Sequence, residues 1–369
     1  MTTHANDADP DPEAALAAVR GRIRELDREL IALAAERVRL AREVGAIKRR
    51  AGHATVDYAQ ERAVLERAAA AAEAAGLVPG VAEDLLSRLI AAAVTVQEQE
   101  SLRSAGTGAG KIAVVVGGAG RMGRWLRRFL DAQGYAAAVI DPAAPEEIDA
   151  LGRKLLARAD LVLCATPPQR TADCYRGWLE RPPSGVIADI ASIKAPLIGA
   201  LRELQAAGAR VASLHPMFGP ATALLRDADV VICDTGDEAA TAEVEALFRP
   251  TTARLVRLPL EEHDRLMGDL LSLAHAAAIA FALALPEDDH PVRSTTFQAL
   301  AGLASAAVRE SPEVYYEIQA GNPHSLPAVE RLRDAVERLL AAVRERRAEG
   351  FAELMAEGRR RTRADEANR

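Results

Sequence analysis

A chain of 369 residues is too long for one ordinary hydrophobic core, and at ~100 to 200 residues per domain it divides into two or three units. Hydrophobic residues make up 49% and charged residues 27%, the balance of a globular protein with ample apolar surface to bury. A formal net charge of -7 argues against a nucleic-acid partner, because phosphate-backbone affinity rests on clustered Lys and Arg.

Cys164, Cys174 and Cys233 have neither CxxC nor Cys/His ligand spacing, so no disulfide framework and no metal site is indicated. Met1 to Pro12 is polar and acidic and lacks the basic and apolar regions of a signal peptide. No charge-free apolar run of ~18 residues is read that would span a membrane. The expectation is a cytoplasmic protein without a membrane partner.

In chain order, Leu16, Val19, Ile23, Leu26, Leu30, Leu33, Val38, Val44 and Ile47 recur every three or four positions, which predicts a long amphipathic helix from Ala14 to about Ala51. A second helix is predicted from about Tyr58 to Ala75 and, after a Pro79-Gly80 turn, a third from about Val81 to Leu102. Three such helices cannot bury a long apolar stripe alone, so a homodimer formed through the first is expected. The small-residue stretch Ser104 to Gly110 then marks a boundary.

Beyond it, short apolar strands alternate with helices: Lys111 to Val116, Ala136 to Ile140, Leu161 to Ala165, Gly185 to Asp189, Arg210 to Ser213 and Val230 to Cys233. This βαβ pattern predicts an α/β, Rossmann-type doubly wound parallel sheet. From Glu261 the sequence is helical and Ala-rich to its end. The expected fold is therefore multidomain: all-α over residues 14–102, Rossmann-type over 111–258 and all-α over 259–360.

Gly118-Ala-Gly120-Arg121-Met122-Gly123 sits between a predicted buried strand and the helix Arg121–Ala132, and Asp141 ends the next strand 23 residues after Gly118. Glycines there let the backbone approach a pyrophosphate at the positive end of a helix. A carboxylate at Asp141 accepts from both ribose hydroxyls and repels a 2′-phosphate, which favours NAD over NADP. Thr166, in Cys164-Ala-Thr-Pro-Pro168, lies where a chain commonly passes the nicotinamide side of such a cleft. A Pro-terminated strand edge explains that segment equally well.

Hydride transfer from a carbinol needs a group to hold the hydroxyl proton, and histidine suits that task near neutral pH. His215 follows a predicted strand and enters the rigid loop Pro216-Met-Phe-Gly-Pro220, at the sheet end where open α/β folds place ligands. It is the best candidate base, against the plainer reading of a structural loop histidine.

The segments Gly118 to Gly123, Asp189-Ile-Ala-Ser192-Ile-Lys194, Leu214-His215-Pro-Met-Phe-Gly-Pro220 and Glu262-His263-Asp264 together resemble those of prephenate dehydrogenases, in the same order, over about residues 111–350. The resemblance implies oxidative decarboxylation of prephenate to 4-hydroxyphenylpyruvate with NAD taking the hydride. His215 would polarise the 4-hydroxyl and Ser192 would assist. His275 would contact substrate, with His263 ranked below both other histidines. One departure is Ala306, where the family usually presents an arginine for the ring carboxylate; Arg309 and Arg293 are the candidate substitutes.

The first helices carry Arg20, Arg37, Lys48, Asp57, Glu61 and Gln97, which a solvated charged face would also explain. Leu33-Ala-Ala-Glu-Arg37 and Glu43-Val-Gly45-Ala-Ile-Lys48 resemble the all-helical chorismate mutases, over about residues 14–102. That resemblance implies that Arg20 of a partner chain and Arg37 bind the dicarboxylate. Lys48 and Gln97 would donate to the ether oxygen whose charge grows in the pericyclic transition state, and Glu61 with Asp57 would receive the ring hydroxyl. Gln60 stands where a family arginine is common and Ala93 where a serine is common.

Together the two halves resemble the bifunctional chorismate mutase and prephenate dehydrogenase (T-protein) family, acting on chorismate and prephenate in tyrosine biosynthesis. Two other readings stand beside it: action on the 4-amino-4-deoxy analogues, or a dehydrogenase whose helices serve only dimerisation or regulation.

Overall fold

The computed structural model describes residues 11–51, 57–223, 225–287 and 292–366. The acidic start up to Pro10, read above for a leader, lies outside the described residues. The chain forms two compact units: residues up to Gly106 with Ala221–Ala228 and Phe248–Ala253, and all the rest.

The first unit holds α1 (Pro12–Arg50), α2 (Tyr58–Ala74) and α3 (Pro79–Ala105). Asp11 caps α1 by accepting from the Glu13 N–H, Pro12 starts its first turn, and Lys48, Arg49 and Arg50 complement the negative end of its dipole. Asp57 caps α2 through the Gln60 N–H at 3.0 Å. Within α1 only Gly45 is buried, and a Cβ there would meet Gln97 Cγ at 2.7 Å, so glycine permits the close approach of α1 to α3. The stripe Leu16, Val19, Ile23, Leu26, Leu30 and Leu33 stays 42% to 67% exposed. Two segments from later in the sequence complete the unit: the buried Glu98 carboxylate on α3 accepts from the Leu225 N–H at 3.1 Å and from the Thr252 N–H and hydroxyl at 2.7 and 2.8 Å.

The second unit is built on a seven-stranded sheet in the order β2-β1-β3-β4-β5-β6-β7. Its strands are β1 (Ile112–Val116), β2 (Ala136–Ile140), β3 (Leu161–Cys164), β4 (Val186–Asp189), β5 (Arg210–Pro216), β6 (Asp229–Asp234) and β7 (Arg254–Pro259). Helices α4 (Arg121–Ala132), α5 (Glu146–Leu156), α6 (Pro168–Gly177), α7 (Ala195–Ala206) and α8 (Glu238–Phe248) cover it. Val114, Val162, Ile187 and Val211 are fully buried, as strands covered on both faces require.

The sheet departs from the expected all-parallel form. β6 runs antiparallel to β5, with His215 opposite Val231, and β7 extends it parallel to β6. The first five strands in sequence are parallel, with Val116 beside both Ile140 and Cys164.

The C-terminal helices belong to the same compact unit as the sheet. They are α9 (Leu260–Met267), a π-helical segment Gly268–Leu273, α10 (Ala274–Ala284), α11 (Thr295–Val308), α12 (Pro312–Gly321), α13 (Ser325–Glu345) and α14 (Ala348–Glu366). The continuous helical run Leu260–Ala284 is long and apolar enough to cross a membrane by length and composition, although with Asp269 and the charges before it the run is not the charge-free one that the sequence reading excluded.

Candidate active site

At the end of β1, Gly117 takes a φ of 81°, a left-handed conformation in which a Cβ would also lie 2.7 Å from the Ala165 carbonyl oxygen. A Cβ on Gly123 would stand 2.1 Å from the Gly117 oxygen, so α4 packs directly on the turn only because that position is glycine. Gly120 caps α4 without a side-chain bond, leaving the first-turn N–H groups of Arg121, Met122 and Gly123 uncapped by protein side chains. Arg121 pairs with Glu310 at 2.7 Å.

Asp141, nearly buried at the end of β2, accepts from the Ala119 N–H at 2.9 Å and the Ala143 N–H at 2.8 Å. Each oxygen keeps a lone pair for a ribose hydroxyl. Thr166 follows β3, the strand on the other side of β1, and its hydroxyl bonds that of Thr171 at 2.8 Å. The glycine turn, Asp141 and Thr166 thus bracket the place where the strand order reverses, which is where such sheets bind dinucleotides. This glycine-lined turn beside a carboxylate fits NAD.

Two strands beyond β3, β5 carries His215, which is 4% exposed. Its Nδ1 lies 3.1 Å from His263 Nε2, and His263 Nδ1 lies 2.8 Å from Asp264 Oδ1. The same carboxylate accepts from the Lys194 N–H at 2.7 Å and the Ala195 N–H at 2.6 Å. An ionised carboxylate only accepts, so the proton of His263 sits on Nδ1 and its Nε2 accepts from His215 Nδ1–H. The network leaves His215 Nε2 as a lone pair.

Burial, then the neighbouring His263 and Lys194, hold His215 well below the ordinary histidine value of 6.5. Burial lowers His263 too, although its bond to Asp264 opposes the shift. Burial pushes the Asp264 carboxyl up, but the bonds from His263, Ala195 and Lys194 outweigh it and hold the group below the usual carboxylate range. Both histidines are neutral at neutral pH, and the carboxylate is ionised.

Lys194, fully buried, ties the parts together. Its ammonium donates to Asp189 Oδ1 at 2.6 Å and to the Leu214 carbonyl at 2.9 Å, while its backbone N–H reaches Asp264. It therefore joins the end of β4, the residue preceding His215, and the α9 carboxylate. Asn322 donates to the Asp264 carbonyl at 2.8 Å. Ser192 is half-buried in the loop between β4 and Lys194, beside the strand that carries His215.

The π-helical segment separates His263 from His275. Its freed Ser272 carbonyl accepts from Gln319 at 2.9 Å, and the Ser272 and Ser325 hydroxyls meet at 2.5 Å. His275 stacks on Tyr315 with ring centres 4.3 Å apart, and its Nδ1 is buried without a partner. Among the described residues no bond joins His275 to the His215 network; His263, ranked last of the three histidines, is the one that touches His215. Ala306 and Arg309 both lie exposed at the end of α11, and Arg293 is exposed just before that helix. Sequence reasoning missed Lys194, Asp189 and Asp264 as working residues. All three stand within the quoted motifs, but a buried charge is not visible in a motif.

In the first unit, Arg20 is exposed, and Arg37 and Lys48 are half-buried. Lys48 Nζ lies 3.9 Å from Asp57 Oδ2, so the end of α1 meets the start of α2. Gln97 is buried and donates to the Ala41 carbonyl at 2.5 Å. Glu61 accepts from Arg226 at 2.5 Å, a partner absent from the sequence reading. Gln60 is exposed and Ala93 buried.

Fold and site define a dinucleotide-dependent dehydrogenase carried on the same chain as a separate helical domain. Residues 19–98 match the model for chorismate mutase type II, 136–257 that for the nucleotide-binding domain of prephenate dehydrogenase, and 259–357 that for its dimerization domain. A T-protein of Enterobacter agglomerans is 28% identical over 86% of this chain and 85% of its own length. A 4-amino-4-deoxyprephenate dehydrogenase of Streptomyces pristinaespiralis is 32% identical over 66% of this chain and 88% of its own. The fold of the second unit is shared with the Aquifex aeolicus prephenate dehydrogenase solved in complex with hydroxyphenyl propionate and NAD+, at a TM-score of 0.55 and 18% identity, over 69% of this chain and 98% of that one. The chain belongs to the family of prephenate dehydrogenases fused to a chorismate mutase domain. It is a bifunctional enzyme of tyrosine biosynthesis, an isomerase and an oxidoreductase in one polypeptide.

Proposed function

We propose that His215 Nε2 accepts the proton of the substrate's ring hydroxyl as the dehydrogenase turns over, and that the Asp264–His263–His215 line carries this assignment. Gly118, Gly120, Arg121, Met122, Gly123, Asp141 and Thr166 would hold NAD, which when bound would supply the acceptor for the hydride of ring C4. As the hydride leaves, the hydroxyl proton moves to His215. The ring carboxylate departs as carbon dioxide, its bonding pair aromatises the ring, and His215 returns the proton to the phenolate oxygen, giving 4-hydroxyphenylpyruvate. His263 receives the hydrogen bond of His215 and, with Asp264 behind it, stabilises the charge that His215 gains. Ser192 assists at the hydroxyl, and His275, with its free Nδ1, contacts the substrate.

Prephenate is preferred over its 4-amino analogue. Burial together with Lys194 disfavours positive charge at His215, and an ammonium placed there would meet the same penalty, whereas a hydroxyl would not. The likeness to the 4-amino-4-deoxyprephenate dehydrogenase keeps the analogue as the second reading.

In the helical domain, assigned to residues 14–102, Arg37 and Arg20 of a partner chain bind the dicarboxylate. Lys48 and Gln97 donate to the ether oxygen, and Glu61 with Asp57 holds the ring hydroxyl. The dehydrogenase half is assigned to residues 111–258 and 259–360. The exposed α1 stripe, the apolar α10, none of whose residues is fully buried, and the match of 259–357 to a dimerization domain support a homodimer of a cytoplasmic enzyme with α10 as an interface helix. The test is His215→Asn: NADH formation from prephenate should fall by about a hundredfold or more, with chorismate consumption unchanged. Full turnover in that variant would remove the assignment.

A further inference from the structure

Ala221–Ala228 stands in sequence between β5 and β6, yet it belongs to the compact unit of α1, α2 and α3. There Arg226 Nη2 lies 2.5 Å from Glu61 Oε2, with the two side chains only 19% and 17% exposed. Its guanidinium also sits 5.4 Å from the centre of the Tyr58 ring. The preceding Leu225 is buried and donates its N–H to Glu98, the neighbour of Gln97. Asp227 turns the chain immediately afterwards with a φ of 60°. Arg226 is thus fixed at the first turn of α2 by anchors on both α2 and α3, an arrangement that a solvated surface arginine does not have.

That first turn is where Gln60 leaves out the guanidinium expected from the resemblance. Glu61 alone would present an uncompensated carboxylate to a dianionic substrate. We propose that Arg226 is a substrate-binding residue of the mutase site. Its guanidinium replaces the cation absent at Gln60, holds Glu61 in position, and offers further N–H donors to a substrate carboxylate. The Glu61 bond occupies one of the five donors a guanidinium carries, and Asp227 Oδ2 lies 3.6 Å from Nε, which leaves the two donors of Nη1 for the substrate. The inference rests on the assignment of the mutase site to Lys48, Glu61 and Gln97.

The test follows chorismate consumption without NAD in the full-length protein, for the parent and for Arg226→Ala, Arg226→Lys, Arg226→Ala with Gln60→Arg, and Lys48→Ala. Losing a charge-assisted contact should raise the chorismate KM of Arg226→Ala by about 10- to 100-fold. Prephenate-dependent NADH formation should stay within about twofold of the parent, which reports an intact fold. Gln60→Arg should restore part of the loss and Arg226→Lys less, because an ammonium lacks the planar fork. Mutase constants for Arg226→Ala equal to the parent's, or faster turnover, would overturn the proposal; faster turnover would make the Glu61 bond a latch. Full activity in Lys48→Ala would refute the site assignment itself. Loss in Lys48→Ala with Arg226→Ala unaffected would refute the role of Arg226 alone.

Discussion

At the scale of single residues, the proposed role of His215 turns on the direction of each proton in the Asp264–His263–His215 line. Asp264→Asn keeps the size of the side chain and an acceptor for one backbone N–H, but its amide can donate toward His263 and invert both imidazoles. NADH formation should fall by about 10² to 10⁴-fold, with chorismate consumption unaffected; near-parental NADH formation would show that the tautomer is not set by Asp264. The pH dependence has a definite sign. With His215 as the proposed neutral base, and its value lowered, kcat/KM for prephenate should stay level as pH falls through the ordinary 6.5 and drop only below it. An acid limb at or above 6.5 would contradict the burial argument. Because the unfolded chain binds protons at His215 and His263 before the folded one does, stability should also decline as pH falls through that window, read as a falling Tm.

The elements divide sharply between those the sequence revealed and those it did not. The glycine turn, α4 and Asp141 were legible because each demands a residue type: no Cβ at Gly123, an apolar run at Ile112–Val116, a carboxylate at the end of β2. The reversal of β6 was not, since an apolar strand carries no mark of direction. β7, Arg254-Leu-Val-Arg-Leu-Pro259, was hidden by its arginines, which pair with Asp229, Glu238 and Glu245. His263 ranked below the other two histidines because Glu261, Glu262 and Asp264 surround it, as they would a solvated residue; only the fold turns it inward. Arg226 had no signal at all, since a short loop has no periodicity.

The α1 stripe makes its own prediction at this scale. Leu26→Glu with Leu30→Glu should cut chorismate turnover by about tenfold or more, because in the proposed homodimer charge there would oppose burial of α1 against a second copy and withdraw the Arg20 that copy supplies. NADH formation from prephenate should persist. Unchanged mutase activity would show that α1 is not an interface helix. Gly123→Ala addresses the glycine turn: its Cβ would collide with the Gly117 carbonyl, so the KM for NAD should rise by about tenfold or more.

For the molecule as a whole, the two activities share an intermediate but not a mechanism. The rearrangement needs only a compact conformer held in place and charge stabilised at one oxygen, whereas the oxidation needs a proton acceptor and a dinucleotide beside it. Placing both on one chain makes the product of the first the substrate of the second. The most direct test gives purified full-length protein prephenate and 4-amino-4-deoxyprephenate side by side, each with NAD, and compares kcat/KM from NADH formation. Prephenate should be preferred by about tenfold or more. Equal or better use of the amine would contradict that preference and pass the His215 site to the analogue.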